Sequence, residues 1–232
     1  MIKRILIILT LLLTAAIFAR VAMHYSEHRE LSKLAQRYVG QGPAELGAAN
    51  LVTAVVVTYR GLDTLGEVTV LFISAAGAGL MLRRRTQAQA TARPEKRTPA
   101  SEIVETAAQL LLPIMFLFGV YVFINGHLTP GGGFQGGAII AAGSLLLLLA
   151  LPEATLRHRL IAFTESLSGF SYVVVGALGV VLAGGFLDNR IMPLGSFGTL
   201  FSAGAIPIIY TLVGLKVGSE LSAVLDRFRE SD

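Results

Sequence analysis

Three groups of ionisable side chains lie within strongly apolar sequence, and each has residue types suited to holding or passing a proton. The first is Arg60-Gly-Leu-Asp-Thr-Leu-Gly-Glu67. Arg60, Asp63 or Thr64, and Glu67 recur at spacings of three and four, which in a helix puts them on one face. A carboxylate beside Arg60 can stay ionised, and Glu67, one turn deeper, can exchange a proton with water or a neighbouring subunit. Thr64 and Glu67 also fit a capping box, the hydroxyl and carboxylate satisfying free amides at a helix start. The second group is Asn125-Gly-His-Leu-Thr-Pro-Gly-Gly-Gly-Phe-Gln-Gly-Gly137. His127 titrates near neutrality, as a relay requires; its plainer role is to bond free carbonyls at a helix end. Pro130 blocks helix continuation, and Gly131, Gly132 and Gly133 let the chain turn sharply. Lys216 and Glu220 form the third group, four apart and able to pair.

For Lys216, a place among the relay residues competes with snorkelling, because near a cytoplasmic helix end lysine reaches the headgroups. Glu105 and Glu165 each open an apolar segment and are expected to act as helix-dipole partners. Two other patterns carry no chemistry. Gly131-x-Gly133-x-x-Gly136 matches a dinucleotide fingerprint only formally, since that motif needs a preceding strand and here follows an apolar segment. His24-Tyr-Ser-Glu-His28 spells a zinc-protease-like string without a third ligand or an enzyme domain, so no metal is expected.

The elements that must position these groups are membrane helices. The 232 residues are 53% hydrophobic and 15% charged, and they contain no Cys or Trp. Such a composition marks an all-α, polytopic membrane protein. Apolar runs near the roughly 20 residues that span a bilayer fall at about 5–23, 44–59, 65–82, 104–125, 134–151, 164–186 and 198–221, seven spans in all. The second is short and ends at Arg60. Without cysteine there are no disulfides, thiolate metal sites or iron–sulfur ligation, and no cofactor is expected. The formal charge of +4 comes from residues flanking the spans, which excludes a nucleic-acid surface.

The seven spans divide into a three-helix block (1–85) and a four-helix block (104–232), separated by a linker at 86–103 rich in Gln, Ala, Pro and charge. Placing that linker in the cytoplasm gathers the basic residues of 29–37, 83–97, 157–159 and 227–229 there. Seven spans then put the N-terminus outside and the C-terminus inside, with Lys3 and Arg4 dissenting. Reading Met1–Ala22 as a cleaved signal peptide would move Arg83, Arg84 and Arg85 outside, so the uncleaved reading is kept. Leu31–Val39 has helical spacing and suits an interfacial amphipathic helix.

Residues 52–71, Val-Thr-Ala-Val-Val-Val-Thr-Tyr-Arg-Gly-Leu-Asp-Thr-Leu-Gly-Glu-Val-Thr-Val-Leu, resemble the C-terminal segment of the large A subunit of Mrp-type cation/proton antiporters. They also resemble the matching small subunit of membrane-bound hydrogenases. The resemblance places the family's ion-translocating glutamate at Glu67. Thr58 departs from it, since an aspartate often stands there. The second block carries Gly-His-Leu-Thr-Pro-Gly-Gly-Gly-Phe-Gln-Gly-Gly, Leu-Phe-Ser-Ala-Gly-Ala-Ile-Pro and Gly-Leu-Lys-Val-Gly-Ser-Glu-Leu. This block resembles the B subunit of Mrp (Mnh) antiporters over about 104–225. Asn125 replaces the first histidine of that family's His-Gly-His.

The resemblance implies a non-catalytic accessory subunit of a multisubunit cation/proton antiporter or a related respiratory complex, in a prokaryotic cell membrane. Its implied partners are antiporter-like large subunits, further small subunits and the lipid bilayer. Glu67, Asp63, His127 and Lys216 are the candidate relay residues, and Arg60, Thr64, Pro130 and Gly131–Gly133 the structural motif. The different-class reading is a scaffold that docks larger subunits, its polar residues serving only as caps and interhelical bonds.

Overall fold

The computed structural model describes residues 2–25, 30–89, 100–151 and 153–231. Among them the secondary structure is helical: α1 Ile2–Met23, α2 Lys33–Leu46, α3 Leu51–Thr53, α4 Gly61–Gln89, α5 Glu102–Ile124, α6 Gly133–Ala150, α7 His158–Leu182 and α8 Ile206–Ser231. A π-helical turn, Ala54–Tyr59, continues α3 up to Arg60. Six of these helices, α1 and α4 to α8, are long and apolar enough to cross a membrane. The protein is an all-α, multi-pass membrane protein. Glu27 and His28 of the zinc-protease-like string, and residues 90–99 of the linker, lie outside the described residues.

The chain divides into two units, Met1–Arg37 and Tyr38–Asp232. In the first, α1 is apolar on every face between Ile5 and Ala19, as expected of a membrane-crossing helix. In the second, α8 is the hub: α4, α5, α6 and α7 all pack on it. Glycine makes the tightest of these contacts possible. A Cβ on Gly137 of α6 would lie 2.9 Å from the Gly214 carbonyl oxygen and 2.9 Å from the Gly218 nitrogen of α8. Gly133 meets Val213 in the same seam, and Gly136 meets α5 at Gly119.

Residues 44–59 do not form the expected second span. Helix α2 ends at Leu46, where Gly47 takes a left-handed φ of 69° and its N–H donates to the Pro43 carbonyl at 2.9 Å. Asn50 then opens a new helix, its Oδ1 accepting from the N–H groups of Val52 and Thr53. The nine residues from Leu51 to Tyr59 reach about 14 Å, against the roughly 30 Å a span must cover. Two of their apolar side chains are instead buried in protein: Ala54 and Val57 belong to the same core as Tyr172, Leu187, Ile206 and Ile209.

The final span also differs. Residues 198–205 belong to a loop, with Gly198, Ala203 and Gly204 all at positive φ, and α8 begins only at Ile206 but runs on to Ser231. That later register moves Lys216 to the middle of its helix.

Candidate functional site

At one end of the bundle, three connections meet: the turn 47–50, the loop 125–132, and the loop 183–205 that carries a short 3-10 turn at Asn189–Ile191. Side-chain amides tie them together. Asn50 donates through Nδ2 to the Gly126 and Thr129 carbonyls (2.9 and 3.0 Å), and its backbone N–H donates to the His127 carbonyl. Asn189, fully buried, donates to the Leu46 and Ala203 carbonyls (2.8 and 2.9 Å). Thr53 donates to the Gly126 carbonyl at 2.6 Å while accepting from the Tyr210 hydroxyl at 3.0 Å. Buried backbone carbonyls must be satisfied where water is excluded, and these three residues do that.

His127 belongs to this cap. Its side chain is fully buried, with Nε2 donating to the Thr199 carbonyl at 3.3 Å. Burial disfavours the imidazolium and holds its pKa below the ordinary histidine value, although backbone carbonyls around the ring oppose that shift. Nearby, Asp188 is bridged by Arg190, whose guanidinium holds the carboxyl below the usual carboxylate range.

The first ionisable group, Arg60 to Glu67, lies on α4 and the turn before it. Arg60 and Asp63 pair at the surface. Thr64 does not cap α4, which starts earlier, at Gly61; its buried hydroxyl donates to the Val56 carbonyl at 2.7 Å and so closes the π turn. Glu67 is exposed on the outer face of α4. Its carboxylate is within electrostatic reach of Tyr172 on α7 and Tyr210 on α8.

The densest ionisable group is elsewhere, between α7 and α8. Lys216 does not snorkel. It is buried, donates from Nζ to Glu220 Oε1 at 2.8 Å, stands 3.9 Å from Glu165 Oε1, and sits 4.9 Å above the Phe72 ring. Its alkyl stem runs over Gly169, where a Cβ would touch it at 3.2 Å. Glu165 does not act as a dipole partner, because α7 begins at His158 and places it two turns inside the helix. Farther along α8, Asp226 is buried beside Arg229 (3.3 Å) and His158 (3.5 Å), and Arg229 also donates to the Ala154 carbonyl.

The four candidate relay residues therefore occupy three places. Asp63 and Glu67 lie along outer turns of α4, His127 in the loop cap, and Lys216 within the bundle. Glu165 is the participant that sequence reasoning set aside. Its signal was available in the chain: a carboxylate at a depth matching a lysine on the neighbouring helix. Among the described residues no group of His, Asp or Glu side chains is arranged to hold a metal ion.

Comparison with known proteins agrees with this architecture. The family model described as a domain related to the MnhB subunit of Na+/H+ antiporter matches residues 103–223, and that of the E subunit of MBH matches residues 3–98. A chain of the membrane-bound sulfane sulfur reductase, an archaeal respiratory membrane complex, superposes with a TM-score of 0.81 at 44% identity, covering 98% of both chains. A chain of the Mrp complex from Dietzia sp. DQ12-45-1b gives a TM-score of 0.75 at 26% identity, over 97% of this chain and 26% of that one. The B subunit of the Na+/H+ antiporter of Bacillus subtilis is 40% identical over 81 residues, which is 35% of this chain and 51% of that protein. This chain thus spans about half of one such relative and a quarter of another. With the matched family domain extending over half its length and the whole chain superposing on one chain of a respiratory membrane complex, the protein belongs to the family of domains related to the MnhB subunit of Na+/H+ antiporters, preceded by a segment that matches the E subunit of MBH.

Proposed function

We propose that this chain is a non-catalytic accessory subunit of a multisubunit, antiporter-like membrane complex, where it joins larger antiporter-like subunits and contributes to moving Na+ or H+. The observation that carries this reading is Glu67, an exposed carboxylate in a helix otherwise fit for lipid. Ionisable groups are costly against hydrocarbon and persist where protein or water meets them. A neighbouring subunit covering that face of α4 supplies such surroundings and gives Glu67 a route for exchange. The two sequence blocks, 1–85 and 104–232, are then two subunit types joined through the linker.

Six crossings return the chain to its starting side. With the linker cytoplasmic, both chain ends are cytoplasmic, which brings Lys3 and Arg4 to the side that basic residues favour and in exchange places the basic residues of 29–37 on the outer side. The loop cap of Asn50, His127 and Asn189 then faces outward.

The test is Glu67→Gln in the assembled complex. Cation-dependent proton transport in vesicles should be lost while the complex migrates intact on native gels; unchanged transport would exclude Glu67 from the mechanism. A scaffold without an ion role is the second reading, favoured by the full burial of His127 in the cap. It requires His127→Ala to release the subunit from the complex and Glu67→Gln to leave transport untouched.

A further inference from the structure

Two cavities meet at the Glu165–Lys216–Glu220 cluster. One, of about 530 Å3, runs between α4, α7 and α8 past Ala75, Ala76 and Gly79 to Arg227, and has Glu220 in its wall. The other, of about 340 Å3, extends the opposite way, past Thr69 to Tyr172, and has Lys216 in its wall. Glu165 and Phe72 line both. The first leads toward the end of the bundle where α4 leaves the membrane and α8 terminates, the second toward the loop cap.

The charges at this junction do not cancel. Two carboxylates share one ammonium, and Glu220, only 1% exposed, has an Oε2 without a hydrogen-bond partner among the described residues. Charged neighbours are few. Arg227 stands at the far end of the larger cavity with its guanidinium over Gly79; the α4 wall, from Leu65 through Phe72 to Leu82, is uncharged, with Glu67 of the same helix acting electrostatically on Tyr172 in the smaller cavity; and α6, on the other side of α8, carries no charged residue. An uncompensated negative charge in such a place calls for one more positive charge.

We propose that Glu165, Lys216 and Glu220 form a proton-exchange centre, with Glu165 the group that faces either cavity in turn. In one state Glu165 takes a proton from hydronium, forming its O–H bond and leaving water, while the Lys216 ammonium stays on Glu220. In the other, that O–H bond breaks to water, hydronium leaves, and the ammonium, 3.9 Å away, is drawn toward the bare Glu165 carboxylate. Lys216 keeps its proton throughout and serves as a movable counter-charge. The centre goes beyond the accessory-subunit reading and depends on it only for the gradient it would serve.

The test uses the full chain in phospholipid vesicles. Infrared difference spectra across a pH titration should show a carboxylic-acid C=O band that shifts in deuterated water, is lost in Glu165→Gln and survives in Glu105→Gln. Because the chain contains no cysteine, Thr69→Cys and Ala75→Cys report water access to the two cavities. Both should react with a charged, water-soluble thiol reagent that leaves the lipid-facing control Leu110→Cys unlabelled. A titrating band that persists in both Glu165→Gln and Glu220→Gln, or cavity cysteines as inert as Leu110→Cys, overturns the proposal. If Glu165→Gln fails to fold, as judged by lost helical circular dichroism, the cysteine labelling decides alone. Failure of these readouts leaves the accessory-subunit assignment standing, and failure of the Glu67 transport test leaves this centre standing.

Discussion

The Asn189 side-chain amide donates to the Leu46 carbonyl at 2.8 Å across 143 residues of sequence. This bond joins the end of α2 to the loop before α8, and it explains why the segment after Leu46 turns back into the protein. Asn189 satisfies two buried carbonyls at once. Leaving each such acceptor bare costs about 1–3 kcal/mol, so Asn189→Ala should lower stability by roughly 2–6 kcal/mol. Thermal unfolding in detergent measures this. A loss within experimental error of wild type would mean that the cap does not depend on Asn189.

Thr53 and Tyr210 should be energetically coupled. Tyr210 donates to Thr53, and Thr53 passes its own hydrogen to the Gly126 carbonyl. Tyr210→Phe removes one donor and should cost about 0.5–1.5 kcal/mol. Thr53→Val strands both the Gly126 carbonyl and the Tyr210 hydroxyl, and should cost about twice that. Because the residues share one bond, the double variant should lose less than the sum. Strict additivity in a double-mutant cycle would show that the two act independently.

The helical class and most spans were legible in the sequence because bilayer thickness imposes a run length that composition alone reveals. Segment 44–59 was not, since hydropathy cannot distinguish an apolar segment buried in protein from one facing lipid; Gly47 and Asn50 were the available signals. Lys216 is taken for a headgroup residue only if its span ends near 221. Helix α8 continues to Ser231, and that length places the lysine near the middle of its helix. The capping box at Thr64 fails for a related reason, because the π turn delivers the chain into α4 three residues earlier. The long-range bonds of Asn50 to Gly126 and of Asn189 to Leu46 leave no local trace, as those partners lie 76 and 143 residues away.

Acidification should loosen the loop cap in two separable steps. Burial keeps folded His127 neutral below the pH at which an unfolded histidine, with its ordinary value of 6.5, takes up a proton. The unfolded chain therefore binds more protons in that window. Stability is full above it and declines as pH falls through it, until folded His127 itself protonates. Asp188 acts lower: its depressed folded value contributes stability above the ordinary carboxylate range, and that contribution is lost as pH falls through the folded value. Melting curves against pH should show His127→Gln flattening the near-neutral decline and Asp188→Asn flattening only the acidic one. A near-neutral slope unchanged by His127→Gln would assign it to another group.

The seam between α6 and α8 predicts a sharp contrast among glycines on one helix. A methyl group on Gly137 would lie 2.8 Å from Val217 Cβ and 2.9 Å from two backbone atoms of α8. Neither backbone can yield without parting the helices. Gly137→Ala should therefore cost about 1–3 kcal/mol or more, and moving α8 should also disturb the Lys216–Glu165 distance that the proton-exchange centre uses. On the same helix, a Cβ on Gly143 would meet Phe116 and Met115 at 3.5–3.7 Å, an ordinary contact. Gly143→Ala should be neutral, or stabilising by up to about 1 kcal/mol through helix propensity. Comparing the two in the same detergent separates helix propensity from packing. Equal stability for the two variants would show that α6 and α8 do not need this close approach.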